Sequence, residues 1–241
     1  MIEIEKLMFA YANEIKVINN LSIIVRQGEI VSFLGKSGCG KSTLLNLISG
    51  LLPIQEGSIE ISNSEISYLT QKPTLLSYRN SYENALLGLE LKNNTNTKSR
   101  TEIENLFSLF GLKDATLKHP NELSGGMKQR VGIIQSILVD ADIYLLDEPF
   151  TAIDRNTLMD IENHLWNLFK TNGSTAILVN HDLEQAVSFS DRIIMLSSNP
   201  GTIVYDQTFP SDFIKLRPSE RKNSLHYSEY LFEVVKRFSE L

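Results

Sequence analysis

A single cysteine, Cys39, stands among 241 residues, which excludes an intrachain disulfide and a cysteine-built zinc cage and fits a reducing compartment. Positive charge is not in excess: 23 Lys and Arg face 29 Asp and Glu, a net charge of −6. No overall field therefore draws the chain to nucleic acid phosphates, and no nucleic acid partner is expected. Nowhere does an apolar run reach the roughly 18 residues of a membrane-spanning helix. The opening MIEIEKLMFAYANEIKVINN carries acids early and lacks a basic stretch followed by an apolar one. The expectation is a chain that neither crosses a membrane nor is exported. What is present, 42% hydrophobic against 22% charged residues, suffices for a packed core and excludes wholesale disorder. At roughly 100 to 200 residues per domain, the length predicts one large domain or a core with a subdomain.

Met1 to Val25 holds short β-branched runs broken by the polar Ala12-Asn13-Glu14 turn, which predicts antiparallel strands. Glu29 to Leu34 is a compact apolar run that ends in a glycine-rich loop, and STLLNLISG after it has helical apolar spacing. A second buried strand, Ile143 to Leu146, ends in Asp147-Glu148-Pro149, and residues 175 to 181 and 192 to 198 read as two more. Apolar strands separated by helices imply an α/β fold with a mostly parallel sheet. Leu158, Ile161, Leu165 and Leu168 mark a covering helix that Asn172-Gly173 stops.

Residues 72 to 140 lack strand signals and carry helical stretches around Tyr82 to Leu91, Arg100 to Phe110 and Met127 to Val139. They predict a helical subdomain inserted into an α/β core formed by 1–71 and 141–206. The polar KNNTNTKS (92–99) reads as an exposed loop. A short tail, 207–241, holds Tyr230, Phe232, Val235 and Phe238 at spacings that predict a helix. The whole of 1–241 is expected to be a single domain, without internal repeats.

Gly35-Lys36-Ser37-Gly38-Cys39-Gly40-Lys41-Ser42 fits G-x-x-x-x-G-K-[ST], with a strand before it and a helix after it. Glycines let the backbone curl until successive N–H groups and the positive helix end face a β-phosphate. Lys41 is then placed to reach the β/γ oxygens and Ser42 to ligate Mg²⁺. A plain turn between strand and helix needs neither residue. Cys39 occupies a free position of the motif and reads as a small buried residue rather than a redox switch. At the tip of a buried strand, Asp147 is placed to hold the Mg²⁺ shell and Glu148 to orient an attacking water. Such an acid pair can also be only a charge at a helix start. Leu123-Ser124-Gly125-Gly126-Met127-Lys128-Gln129-Arg130 is a second Gly-rich turn opening a helix, another cluster of hydroxyl and N–H groups for an anion. It cannot easily serve the same phosphate from the same chain.

The glycine loop, LSGGMKQR, LLDEPF, TAID and NHD, in this order, resemble the ATP-binding subunits of ABC transporters over nearly the whole chain. The resemblance implies a P-loop NTPase core with an N-terminal antiparallel β subdomain, ATP and Mg²⁺ as ligands, and ATP hydrolysis coupled to transport. It implies a head-to-tail homodimer, in which ATP lies between residues 35–43 of one copy (Gly35 to Thr43) and Ser124, Gly125 and Gly126 of the other. It makes Gln71 the Q-loop glutamine near Mg²⁺ and the γ-phosphate, Glu148 the catalytic carboxylate, Asp154 the D-loop aspartate and His181 the switch histidine. Tyr11 lies where such subunits usually set an aromatic ring against adenine; a tyrosine packed in a β-sheet is the other reading. His119, His164 and His226 lie outside any motif and read as surface or satisfied residues.

The sequence departs from the family pattern at four places. Asn180 replaces a usual threonine, Gln135 a residue often basic, and Ala141 a common proline. Ser77-Tyr78 stand where importers often carry proline and tryptophan, beside the loop where the family docks its permease, with Tyr78 and Tyr82 alternatively filling the helical subdomain. The short stretch from Lys41 to Ser124 leaves no room for the coiled coil of chromosome-maintenance relatives. Residues 190–203, SDRIIMLSSNPGTI, are similar to nitrate, sulfonate and taurine importer ATPases. The resemblance thus implies a peripheral subunit on the cytoplasmic face of the membrane, working with an integral permease and, indirectly, an extracytoplasmic solute-binding protein. A thiamine-precursor importer, an export or lipoprotein-release ATPase and a soluble non-transport regulatory ATPase remain alternatives.

Overall fold

Two sheets share the chain, and the strand composition explains why they differ. The structure, a computed structural model, describes residues 1–11, 16–62, 64–93, 100–198 and 200–241. The Ala12-Asn13-Glu14 turn, residues 94–99 of the polar loop and Asn199 lie outside the described residues. Strands β1 (Ile2–Ala10) and β2 (Lys16–Val25) pair antiparallel, then come β3 (Ile30–Leu34), helix α1 (Lys41–Ile48), β4 (Glu56–Ile61) and β5 (Ile66–Leu69). Helices α2 (Ser81–Leu91), α3 (Arg100–Leu109) and α4 (Gly125–Ile137) follow, with two short 3₁₀ turns before α4. Strand β6 (Ile143–Asp147), helix α5 (Arg155–Asn172), β7 (Thr175–Val179), α6 (Leu183–Phe189), β8 (Arg192–Leu196) and β9 (Ile203–Thr208) complete the sheets. Helices α7 (Ser211–Ile214), α8 (Pro218–Lys222) and α9 (Tyr227–Ser239) form the tail.

The six-stranded sheet has the order β5-β6-β7-β3-β8-β9 and is parallel except for β9. Strands β3, β6 and β7 are buried at every position, which is why they read as continuous apolar runs. Side chains alternate across the sheet. Ile143, Leu145, Ile177 and Val179 join α1 and the antiparallel sheet β2-β1-β4 on one face. Tyr144, Leu146, Ala176 and Leu178 join α2 to α5 on the other. Tyr82 packs into that second core, 6.1 Å from Phe107, whereas Tyr78 is exposed and does not fill it. Strands β4, β5 and β9 were not legible as strands, being short or half-exposed. Helix α9 forms as the tail spacing predicts, but its buried side is not the predicted one. Val234 is fully buried in a cluster with residues of α6 and β8, against which Tyr230, Leu231 and Phe238 pack, while Phe232 and Val235 face outward.

Two of the departures from the family pattern have local reasons. Asn180 is buried and its Nδ2 donates to Ser32 Oγ at 3.0 Å, tying β7 to β3. Ala141 donates its N–H to the hydroxyl of buried Tyr144 at 3.0 Å, and the preceding Asp140 has φ 44°. Proline at 141 removes that donor and disfavours the left-handed residue before it. Ala141→Pro is therefore expected to cost about 1–3 kcal/mol, lowering Tm by about 2–4 °C per kcal/mol; an unchanged thermal unfolding curve contradicts this.

Candidate nucleotide site

Three neighbouring strands, β6, β7 and β3, deliver their C-terminal ends to one edge of the sheet, the usual ligand position of an open α/β fold. From β3 comes the loop Gly35 to Gly40, from β6 Asp147 and Glu148, and from β7 Asn180 and His181. Part of the loop, Glu148 and His181 border a cleft of about 310 Å³ lined also by Tyr11, Lys41, Ser42 and Gln71, among others. Gly40, at the N-terminus of α1, has φ 102°, and a Cβ there would lie 3.0 Å from Val17 Cγ1. Only glycine fits that turn without strain.

Lys41 is nearly buried and its Nζ donates to the carbonyls of Gly35 at 2.7 Å and Lys36 at 3.1 Å. The ammonium is thereby held inside its own loop. Cys39 is buried beneath the loop, 3.6 Å from Lys41 Nζ, as a small buried residue. Thr43 shares a hydrogen bond of 3.2 Å with the hydroxyl of Tyr11, whose ring is half exposed and edge-on to Phe9. Tyr11 thus borders the cleft instead of being packed away in the sheet.

Glu148 sits one residue beyond β6 with φ 50°, a conformation that non-glycine residues hold only under constraint. Its N–H donates to Val179 O at 2.9 Å, its carbonyl accepts from Gln129 Nε2 at 3.2 Å, and its Oε1 lies 2.5 Å from His181 Nε2. The carboxylate is aimed at the cleft by both its backbone and its partners. Asp147 is buried, and its Oδ1 has no hydrogen-bond partner. Burial pushes its carboxyl up, opposed by a hydrogen bond to Ser42, with the Glu148 charge raising it and Lys41 and His181 lowering it.

An unpartnered buried carboxylate oxygen beside a hydroxyl, with the amide of Gln71 in the same cleft, is a hard oxygen set that fits Mg²⁺. Among the described residues no group of three or more His, Cys, Asp or Glu gathers to hold a metal alone. These residues would leave the other positions around a bound Mg²⁺ to phosphate oxygens and water.

The remaining predicted residues lie outside this cleft. Ser124 is exposed and caps α4, accepting the Met127 N–H at 3.3 Å. Gly125 is exposed with open space where a side chain would stand. Gly126 is buried, and a Cβ there would fall 2.2 Å from Ala152 O, so the turn of α4 lies directly on the Thr151–Ile153 segment. Asp154 caps α5 through the Thr157 amide and hydroxyl at 3.0 and 2.9 Å. Those bonds hold its carboxyl below the usual range, with the Arg130 charge adding to them. His164 stacks edge-on against Phe110, and burial pulls its imidazole down.

Sequence reasoning missed Val17, Gln129 and Gly201. Val17 lines the cleft and its carbonyl accepts the Gly201 N–H at 2.8 Å. These contacts run through backbone atoms and across distant segments, leaving no pattern in the sequence. Gln129 alone had a signal, its place in the Ser124 to Arg130 segment.

Residues 18–151 match the family model described as ABC transporter. The chain is 34% identical over 234 residues to an uncharacterized ABC transporter ATP-binding protein, YtlC, of Bacillus subtilis (strain 168), covering 94% of this chain and 90% of that protein. It is 36% identical over 228 residues to the nitrate import ATP-binding protein NrtC of Synechococcus elongatus (strain ATCC 33912 / PCC 7942 / FACHB-805), covering 90% of this chain and 34% of that protein. It is 34% identical over 230 residues to the taurine import ATP-binding protein TauB of Jannaschia sp. (strain CCS1), covering 92% and 86%. A solved structure described as dimeric MJ0796, a bacterial ABC transporter cassette, superposes with a TM-score of 0.77 at 28% identity, covering 88% of this chain and 100% of that one.

Proposed function

Because the chain belongs to the ABC transporter family and is an ATP-hydrolysing subunit of it, we propose that it powers solute uptake through a separate membrane permease, in the nitrate, sulfonate and taurine branch. One observation carries the reading. The groups for phosphate chemistry gather in one cleft, whereas Ser124 and Gly125 stand exposed outside it. Two copies packed head to tail bring the exposed turn of each over the cleft of the other, and a solved cassette of similar fold is described as dimeric.

In that arrangement the loop N–H groups and Lys41 grip the β- and γ-phosphates, with Gly35 to Thr43 forming the cradle, and Tyr11 stacks on adenine. Ser42, Gln71 and Asp147 hold Mg²⁺, which when bound neutralises charge on the phosphate oxygens. Glu148 accepts the proton of the attacking water, and His181 steadies the γ-phosphate. Ser124, Gly125 and Gly126 of the twin cap the nucleotide, and Asp154 adds a contact across the interface. Closing on two ATP molecules presses on the permease, and reopening follows hydrolysis. The subunit lies on the cytoplasmic face, as fits described residues in which no helix is long and apolar enough to cross a membrane. An extracytoplasmic binding protein selects the solute.

Capture of the permease on the tagged chain, followed by reconstitution in liposomes, tests this reading. ATP turnover should rise when binding protein loaded with nitrate, a sulfonate or taurine is added to the extracytoplasmic side. Stimulation by solute from the ATPase side, or turnover with no permease captured, overturns it in favour of export or of a soluble role respectively.

A further inference from the structure

The tail folds back over α6, the helix whose first turn begins directly after His181, and it does so with polar groups that the nucleotide cleft does not use. Arg221 is wholly buried and donates to Ser190 O, the C-cap of α6, at 2.5 Å. It also donates to Leu216 O at 2.9 Å and Ile214 O at 2.7 Å, lies 3.5 Å from Asp191 Oδ1, and stands over the rings of Phe213 and Trp166. Lys222 Nζ lies 3.0 Å from Oε2 of Glu162, a fully buried carboxylate on α5. At the other end of α6, the Tyr227 hydroxyl donates to Glu184 O at 3.2 Å. The helix is therefore gripped at both ends from the tail side.

On the cleft side the same helix is capped by Asp182, whose Oδ1 accepts the N–H groups of Glu184 and Gln185 at 2.8 and 3.1 Å. Asp182 is the neighbour of His181, and His181 Nε2 meets Glu148 Oε1. One short rigid element thus connects the tail to the histidine. Buried charges of this kind stabilise no better than apolar residues of equal volume, so packing alone does not account for an arginine and an ion pair at these positions. Glu162 keeps one oxygen without a partner, and Lys222 is the ammonium that offsets its charge.

We propose that Arg221 and Tyr227 are positioning residues: the tail braces α6 from behind so that His181 is held against Glu148 for the hydrolytic step. The inference rests on the reading of His181 as the γ-phosphate contact. Loosening the brace lowers the rate of chemistry and spares ATP binding, because the phosphate loop and Tyr11 belong to other elements.

Tyr227→Phe keeps the ring and deletes only the hydrogen bond to Glu184 O. On the full chain, kcat is expected to fall about 3- to 10-fold with KM for ATP and Tm nearly unchanged. In a His181→Ala background, followed by labelled ATP to reach residual rates, the same substitution should cost nothing further. Phe232→Ala, on the outward face of α9, should turn over at the native rate. Native kcat in Tyr227→Phe alongside a slow His181→Ala overturns the brace alone, as does an equal fractional loss in both backgrounds. Native turnover in His181→Ala overturns the histidine's role and the brace with it.

Discussion

Glu148→Gln is expected to bind ATP within about twofold of the native affinity and to lose about 10²- to 10⁴-fold in turnover, the usual worth of a positioned general base. The amide has nearly the shape of the carboxylate, and the backbone bonds to Val179 and Gln129 that fix residue 148 are untouched. The capacity to take a proton from water is gone, and with it the charged partner of His181. If reopening follows hydrolysis, as the proposed cycle has it, the variant accumulates as an ATP-loaded dimer, which light scattering detects as a doubled mass. Undiminished phosphate release removes Glu148 from the role of base and leaves its constrained φ of 50° without a functional reason.

The second large effect comes from the other Gly-rich turn. Ser124→Arg should leave ATP binding to the monomer largely intact and abolish dimerisation in the Glu148→Gln background. Ser124 is exposed and does not line the cleft of its own chain, so a bulky cation there obstructs a partner and not the resident nucleotide. The substitution also deletes the cap of α4, a loss of about 0.5–2 kcal/mol. Ser124→Ala deletes the same cap without the bulk and therefore separates the two causes. It should dimerise far better than Ser124→Arg at a similar Tm. An unchanged dimer in Ser124→Arg argues that the turn faces solvent in the ATP-loaded form.

Much of this site was legible because phosphate chemistry needs particular residues at fixed spacing. The loop from Gly35 to Ser42, the acid pair at 147 and 148, and the Ser124 turn each carry their reason in local backbone geometry, and the strands β3, β6 and β7 that deliver the cleft residues are apolar enough to recognise. What stayed hidden depends on partners far away in the chain. Strands β4 and β9 alternate or expose much of their length, so their edges show only weak periodicity. The tail spacing announced a helix, yet which face of α9 is buried follows from where β8 and α6 present Met195, Ala186 and Val187. Glu162 and Arg221 carry no signal in the sequence, and only the fold shows that both are fully buried. Val17 and Gly201 contribute backbone atoms, which any residue type carries.

Mixing two defective chains puts the central proposition to its sharpest test. In the Glu148→Gln background, one chain carries Lys41→Ala and the other Ser124→Arg; neither alone should dimerise with ATP. If each nucleotide is shared between copies, the mixture contains one intact composite site per heterodimer, and ATP should produce dimers that trap one nucleotide per pair of chains. A mixture that stays monomeric and traps none, while the parent variant dimerises under the same conditions, contradicts the account.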